Sequence, residues 1–229
     1  MTTISDNVQA IQARLNQACS SAHRARNAVT LLAVSKRHSS DAVRQAHTAG
    51  LTAFGENYVQ EGLDKIAALG DLRGALAWHL IGPLQSNKTR VVAEAFDWVH
   101  SVDRLKTAQR LSEQRPDALP PLNVCLQVNI SGEDSKSGVA PEDVLTLARA
   151  VAALPRLRLR GLMSIPEPEP DLEAQRRPHF ALRLLFDRLN AEGLSLDTLS
   201  MGMSADLEAA VLEGATMVRI GTAIFGERH

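Results

Sequence analysis

Lys36 follows a short apolar run, LLAVS at residues 31–35. The run is typical of a buried strand, which would carry the lysine at its carboxyl end. Lysine is rarely buried without a purpose, and a desolvated lysine amine can lose its proton and attack a carbonyl carbon. The pattern therefore makes Lys36 a candidate for Schiff-base chemistry. The alternative is a solvated lysine just past a strand, which is the commoner case for a segment of this kind.

Strand-like and helix-like segments alternate along the whole chain. A first helix is predicted over residues 5–26, where Val8, Ile11 and Leu15 recur at helical spacing and Thr3 or Ser5 can cap the start. Strands are predicted at 30–35, 51–55, 77–81, 98–101, 122–129, 158–163, 198–201 and 217–220. Helices are predicted between them at 40–49, 59–69, 88–95, 104–114, 141–153, 177–192 and 205–213. The longest predicted break is the loop at 164–176.

This alternation predicts an α/β fold with a parallel sheet. Eight units favour a closed (β/α)₈ barrel of the TIM type with one extra N-terminal helix, formed by residues 1–229 as a single domain. The alternative is an open doubly wound sheet. No GxGxxG motif follows an early strand, which argues against the dinucleotide-binding form of that sheet.

Composition narrows the class of protein. The 25 basic and 26 acidic residues leave a net charge of -1, which gives no electrostatic reason to expect nucleic acid or a membrane surface as a partner. Cys19 and Cys125 have no metal-ligand spacing and are expected to act as small buried hydrophobes in a reducing compartment. Neither a secretory signal nor a membrane-spanning run is predicted. We therefore expect a cytoplasmic protein.

Active sites of such barrels lie at the carboxyl ends of the strands, and phosphate is often bound by the loops after strands 7 and 8. Ser204 follows the seventh predicted strand, and Gly221 and Thr222 follow the eighth. Small residues and hydroxyl groups at these positions suit a phosphate group. The alternative is that Ser204 is an ordinary helix cap and Gly221 an ordinary turn glycine.

An amine and a phosphate site at one barrel mouth predict pyridoxal 5′-phosphate (PLP), which pairs an aldehyde with a phosphate. A sugar-phosphate aldolase that uses a lysine without PLP is the alternative.

Several long motifs appear in order along the chain. They are AVSK at 33–36, FGENYVQE at 54–61, WHLIGPLQSNK at 78–88, GLM at 161–163, LSMGMS at 199–204 and VRIGTAIFG at 218–226. With these motifs the chain resembles the pyridoxal phosphate homeostasis proteins, a PLP-binding family with the barrel of alanine racemases. The resemblance implies that Lys36 forms the internal aldimine with PLP, and that Ser204, Gly221 and Thr222 contact its phosphate.

The resemblance also places Asn57 near the phenolic oxygen of the cofactor ring and Arg219 opposite the pyridine nitrogen. Arginine only donates hydrogen bonds, so a ring nitrogen that receives its N–H stays unprotonated and withdraws electrons poorly. The alternative for Arg219 is a surface arginine that closes the last strand. Racemases also use a tyrosine from another subunit and a C-terminal β domain. Tyr58 is the only tyrosine in the 229 residues and is expected to be structural, and we expect no such domain after strand 8.

The implied function is therefore binding of PLP as a Schiff base on Lys36 for intracellular PLP (vitamin B6) homeostasis, without efficient catalysis. A PLP-dependent amino-acid racemase is the alternative. The expected partners are PLP and apo-enzymes that accept it, and the chain is expected to be a monomer. Three further predictions concern other parts of the chain. The segment 85–88 can line the mouth of the barrel or start a helix, and His79 suits a core histidine. Lys136 lies in a polar loop where it could receive or release cofactor, although a solvated loop lysine is the commoner case.

Overall fold

A computed structural model describes residues 3–132 and 137–226. Their eight strands pair in chain order, all parallel, and the first pairs with the last to close a barrel. The predicted (β/α)₈ barrel is confirmed, and the open doubly wound alternative is wrong. The strands are β1 (Thr30–Val34), β2 (Ala53–Glu56), β3 (Ala77–Leu80), β4 (Trp98–Val102), β5 (Leu122–Gln127), β6 (Leu157–Met163), β7 (Thr198–Ser200) and β8 (Met217–Ile220).

The helices surround the barrel, and the first one lies outside the β/α repeat. They are α1 (Ile4–Ser21), α2 (Ser40–Thr48), α3 (Val59–Ala68), α4 (Thr89–Ala95), α5 (Leu105–Gln114), α6 (Val144–Ala152), α7 (Leu172–Ala191), α8 (Leu207–Leu212) and α9 (Thr222–Phe225). Short 3₁₀ turns lie at Gly70–Leu72, Ser86–Lys88 and Pro141–Asp143.

Side chains alternate between the two faces of the barrel wall, as the two-residue period of a strand requires. In β8, Val218 and Ile220 join the large apolar cluster that packs the strands against the helices. Met217 belongs instead to a separate small cluster with Leu32, Val34, Ala53 and Ile81. Arg219 therefore shares the inward face of β8 with Met217, where it is buried.

The largest differences from the prediction concern three helices. α1 ends at Ser21 instead of residue 26, just before His23 adopts a left-handed φ of 54°. α7 begins at Leu172 rather than at residue 177, because the Asp171 side chain caps it by accepting a hydrogen bond from the backbone N–H of Ala174. The four-residue helix α9, whose first residue is Thr222, is not among the predicted helices.

Both cysteines are buried free thiols, as predicted. Among the described residues, no group of histidine, cysteine and carboxylate side chains is arranged to hold a metal ion. None of the helices in residues 3–132 and 137–226 has the length and apolar character needed to cross a bilayer.

Candidate functional site

Lys36 lies directly after β1, in a turn held on both sides. The backbone N–H of Ser35 donates to the carbonyl of Gly55 on β2 at 3.0 Å, and His38 N–H donates back to the Ser35 carbonyl at 3.0 Å. Arg37 has a left-handed φ of 63°, which turns the chain away from the barrel. Lys36 itself is half-buried. The turn fixes the start of the lysine side chain at the mouth of the barrel.

A cavity of about 310 Å³ opens beside this turn. Its volume lies at the lower end of the range of about 300–1,000 Å³ that is usual for small-molecule sites. The six residues that the sequence predicts as the site all line it. The full lining consists of Val34, Lys36, Asn57, Ile81, Ile165, Met203, Ser204, Ala205, Arg219, Gly221 and Thr222.

Arg219 is fixed by the ends of two other strands. One guanidinium nitrogen, Nη1, donates to the carbonyl and to the hydroxyl of Ser200 at 2.6 and 2.9 Å, and Nη2 donates to the carbonyl of Ser164 at 2.8 Å. Burial lowers the pKa of Arg219 to about 10, so the group remains charged at neutral pH. Arg219 is therefore not a surface arginine, and its Nε donates to no residue in the described part of the chain.

Two histidines continue this hydrogen-bonded chain into the barrel. Nδ1 of His100 lies 2.9 Å from the Ser200 hydroxyl, and its Nε2 lies 2.9 Å from Nδ1 of His79. Burial lowers the pKa of His79 to about 3, with the charge of Arg160 as a smaller cause. Burial also lowers the pKa of His100, followed by the effects of His79 and Arg219. Both rings are neutral, and His79 is the core histidine that its sequence context predicts.

The loop after β7 carries Ser204 to the cavity. The Met203 N–H donates to Oδ1 of Asp206 at 2.6 Å, while Oδ2 of Asp206 lies 2.8 Å from Nε2 of buried His179 on α7. The hydrogen bonds of His179 and Met203 lower the pKa of Asp206 against the opposing effect of burial. The Asp206 carboxylate, which is hydrogen-bonded to both Met203 and His179, therefore fixes the conformation of the Ser204 loop.

Gly221 and Thr222 form the adjacent part of the wall, after β8, which pairs with both β7 and β1. A side-chain carbon at Gly221 would come within 3.2 Å of the Val34 carbonyl oxygen, which is tighter than an ordinary contact. Thr222 begins α9, and its side chain is exposed at the rim of the cavity. Within the described residues, the hydroxyls of Ser204 and Thr222 make no side-chain hydrogen bond, so both are available to a ligand.

Asn57 enters the cavity from the end of β2. Its side-chain oxygen Oδ1 is buried and has no hydrogen-bond partner in the described ranges. Gly82 packs closely against the backbone of Asn57, since a Cβ added at Gly82 would lie 2.1 Å from the backbone oxygen of Asn57. A buried amide oxygen without a partner is costly unless a ligand or water supplies one.

A buried ionic cluster supports the Lys36 turn from below. Nζ of Lys65 donates to Oε1 of Glu56 at 2.7 Å, to Oε1 of Glu61 at 2.8 Å and to the Ser35 carbonyl at 2.6 Å. The Ser35 hydroxyl also donates to Glu56, and the backbone N–H of Arg37 donates to Glu61. Burial raises the pKa of Glu56, and Lys65 and Ser35 partly offset that rise. The residues on either side of Lys36 are thus both held by this cluster.

The sequence alone does not predict this cluster, the hydrogen-bonded series Ser200–His100–His79 or the role of Asp206. Glu56 and Glu61 do lie within the FGENYVQE motif, which could have indicated a role for them. Lys65 resembles an ordinary surface lysine paired with Glu61 four residues earlier, and nothing in its spacing reveals its burial.

The remaining predicted positions lie elsewhere. The segment 85–88 starts a helix, since Ser86–Lys88 form a 3₁₀ turn before α4, and Gln85 and Lys88 also line a neighbouring cavity of about 510 Å³. Tyr58 lines that second cavity and is 51% exposed, so its ring is not part of the core. Lys136 lies outside the described residues.

The arrangement can hold a small ligand with three features: a carbonyl carbon for the lysine amine, an anionic group for the two hydroxyl-bearing loops, and an acceptor for Arg219.

Comparison with known proteins assigns this chain to a protein family. The family model for the N-terminal domain of alanine racemase matches residues 7–229. The pyridoxal phosphate homeostasis protein of Pseudomonas aeruginosa is 63% identical over 100% of this chain and 97% of its own length. That of Escherichia coli is 52% identical over 100% of this chain and 98% of its own length. The chain belongs to the pyridoxal phosphate homeostasis protein family.

Solved structures agree with this family assignment. PipY of Synechococcus elongatus, solved with PLP bound, is 36% identical and superposes with a TM-score of 0.84 over 98% of this chain and 100% of its own. Alanine racemase from Corynebacterium glutamicum is 19% identical, with a TM-score of 0.71 over 96% of this chain and 59% of its own. This more distant likeness shows that the racemase shares the barrel of the family.

Proposed function

We propose that the chain binds PLP in the Lys36 cavity and serves the homeostasis of this cofactor. The observation that carries the proposal is the meeting of an amine, a guanidinium and two hydroxyl-bearing loops around one cavity. The names of the full-length relatives and the PLP-bound PipY structure support the same ligand and role.

The described residues fit this cofactor. The Lys36 amine suits its aldehyde, and the side-chain NH2 group of Asn57, a hydrogen-bond donor, suits its phenolic oxygen. The available hydroxyls of Ser204 and Thr222, with the backbone of Gly221, suit its phosphate. The Nε of Arg219 suits its ring nitrogen. Each group of the ligand therefore has a complementary group in the lining of the cavity.

PLP, when bound, supplies an aldehyde carbon and an electron-withdrawing ring. Lys36 would hold the aldehyde carbon through its neutral amine, as a Schiff base formed with loss of one water molecule. Arg219 would donate an N–H to the ring nitrogen and, because arginine cannot accept a hydrogen bond, would keep that nitrogen unprotonated. The apolar side chains of Val34, Ile81 and Ile165 limit the access of water to the amine.

The same residues support a holding role over a catalytic one. Racemisation requires acid and base groups on both faces of the substrate. Among the described residues that line the cavity, Lys36 and Arg219 are the only two ionisable side chains, and arginine does not exchange a proton at neutral pH. No observation favours the racemase alternative, nor a lysine aldolase that works without PLP.

We also propose that residues 1–229 act as one unit, that the chain is a monomer, and that it passes PLP to apo-enzymes. The near-neutral net charge of -1 supports small-molecule handling over nucleic-acid binding. Light scattering coupled to size exclusion would test the monomer, since a mass near twice 24.8 kDa would contradict it. Reactivation of an apo-enzyme by the PLP-loaded chain would test the transfer.

The deciding experiment is incubation with PLP, reduction with borohydride and mass spectrometry. We expect one pyridoxyl group on Lys36, no such group in Lys36→Ala, and the wild-type result in Lys88→Ala, a lysine that lines the neighbouring cavity. Turnover of amino acids by the loaded protein should be negligible. A label that persists in Lys36→Ala, or robust racemisation by the pure protein, would refute the proposal.

A further inference from the structure

The extra N-terminal helix α1 contacts both loops that carry the proposed phosphate site. A (β/α)₈ barrel does not need this helix to complete its repeat. Its buried face packs Val8, Ile11 and Leu15 into the main apolar cluster, beside helices α8 and α9. Two polar side chains of α1 then reach past this face, one toward each loop.

Arg14 ties the Ser204 loop to α8. Its Nη1 donates to the Ser204 carbonyl at 2.8 Å, while Nε and Nη2 donate to the two carboxylate oxygens of Glu208 at 2.7 and 2.6 Å. The bidentate pair with Glu208 fixes the plane of the guanidinium, because a carboxylate and an arginine match in geometry. The third nitrogen is thereby aimed at the backbone of the residue whose hydroxyl faces the cavity. Arg14 itself does not line the cavity.

Asn7 performs the same task for the second loop. Its Nδ2 donates to the carbonyl of Ile224 at 2.9 Å, and the N–H of Ile224 donates in turn to the carbonyl of Gly221 at 2.9 Å. The helical turn that begins with Thr222 is thus held from outside the barrel. Both bonds from α1 join residues about 200 positions apart, at separations of 190 for Arg14–Ser204 and 217 for Asn7–Ile224.

The helices that follow the two loops are short, since α8 spans six residues and α9 spans four. Anion recognition depends on donors held at fixed positions before the ligand arrives. We propose that Arg14 and Asn7 are positioning residues that hold the Ser204 and Thr222 loops in the geometry needed to bind the phosphate of PLP. This inference rests on the proposed function, which supplies the ligand.

A comparison of PLP with pyridoxal, which has the same ring and aldehyde but no phosphate, isolates the phosphate contribution. We expect Arg14→Gln to weaken binding of PLP about tenfold, as the loss of one well-placed hydrogen bond to a charged group implies, while binding of pyridoxal changes less than about twofold. Asn7→Ala should produce the same selective loss to a smaller extent. Binding is measured by titration of the absorbance of the lysine-bound ligand.

Arg24→Gln is the matched control. Arg24 follows α1 and also ties α8, but at its other end, where Nη1 donates to the Val211 carbonyl at 2.9 Å. Its replacement should leave the ratio of PLP to pyridoxal affinity unchanged even if thermal stability falls. A general loosening of the fold would weaken both ligands in all three variants.

The outcomes separate the two ideas. If the wild-type protein fails to bind PLP, the proposed function is wrong and the inference falls with it. If the wild-type protein binds PLP but Arg14→Gln and Asn7→Ala weaken both ligands equally, or neither, only the inference is wrong. Should Arg14→Gln not fold, the Asn7→Ala ratio decides alone.

Discussion

Nδ1 of His100 lies 2.9 Å from the hydroxyl oxygen of Ser200, and this contact has a fixed direction. Arg219 can only donate, so Ser200 accepts its N–H. Ser200 has no other acceptor among the described residues, and therefore gives its own proton to His100. His100 must then carry its proton on Nε2 and donate it to Nδ1 of His79. The arginine at the proposed ring-nitrogen position thus orients a chain of three further side chains.

Nitrogen NMR of the protein tests this direction. We expect His79 and His100 both to be neutral at pH 7 and to carry their protons on Nε2. The reason is that each Nδ1 accepts a hydrogen bond in the oriented chain. A proton on Nδ1 of His100 would contradict the assignment.

Loss of the Ser200 hydroxyl should destabilise the fold. Ser200→Ala leaves Nδ1 of His100 buried without a donor, and an unsatisfied buried polar atom costs about 1–3 kcal/mol. Ser101→Ala is the matched control, because that hydroxyl is buried one residue after His100 and makes no hydrogen bond in the described residues. Urea unfolding should show the loss for Ser200→Ala and little change for Ser101→Ala. Equal effects of the two substitutions would show that the hydrogen bond between Ser200 and His100 does not stabilise the fold.

The buried His79 should make the protein sensitive to acid. In the unfolded chain a histidine takes up a proton near pH 6.5, whereas burial holds the pKa of native His79 at about 3. The unfolded state therefore binds more protons between these values, and the free energy of unfolding falls as the pH drops from about 6.5 toward 3. His79 alone lowers the free energy of unfolding by up to about 5 kcal/mol over this pH range.

Unfolding free energies measured across that window in His79→Gln should fall less steeply than in the wild type. The exposed His23 provides the control, as His23→Asn also removes a histidine and suits the left-handed backbone there. A slope that changes equally in both variants would show that burial of His79 is not its cause.

Gly82 should not tolerate a side chain, because its backbone packs against the backbone of Asn57 in the lining of the cavity. In Gly82→Ala the new carbon would lie 2.1 Å from the backbone oxygen of Asn57, so the backbone after β2 must move. We expect weaker retention of PLP together with a lower melting temperature. Gly74→Ala adds a carbon where no atom lies within 4 Å and should change stability by less than about 1 kcal/mol. Wild-type retention by Gly82→Ala would show that the Asn57 position is not critical.

Removal of the Lys65 amine should destabilise the fold more than removal of an exposed lysine on another helix. Lys65→Met leaves Glu56 and Glu61 without their shared cation, and breaking a buried ion pair on one side costs about 3–5 kcal/mol. Chemical unfolding would measure the loss, with the exposed Lys106→Met as the control. The double variant Lys65→Met, Glu56→Gln should recover part of it, and a failure to recover any would argue against the pair as the cause.

Much of the fold could be predicted because most of the strands are short, largely apolar segments, each followed by a helical pattern. Lys36, Ser204 and Gly221 could then be selected because they follow strands, and the family resemblance added Asn57. Their roles in ligand binding stay predictions. The start of α7 differs from the prediction because residues 172–176 were assigned to the preceding loop, whereas the helix begins after a cap at Asp171 and runs through Pro178.

The polar interior could not be predicted, for a physical reason. His100 on β4 meets Ser200 on β7 across the barrel, and those strands are not neighbours in the sheet. Single polar residues within apolar runs carry no periodic signal, and their partners depend on the width of the closed barrel. Arg14 was likewise indistinguishable from other polar residues on the exposed side of α1.

The closure of β1 against β8 has a consequence for the order of events during synthesis. Lys36 emerges early, but Arg219 and Thr222 complete its cavity only after almost all of the chain has been made. Contacts between such distant segments form late, because the intervening loop must first be ordered. On a growing chain the amine of Lys36 therefore lacks these surroundings, and the selectivity for one aldehyde that we propose for it can arise only when the last strand joins the first.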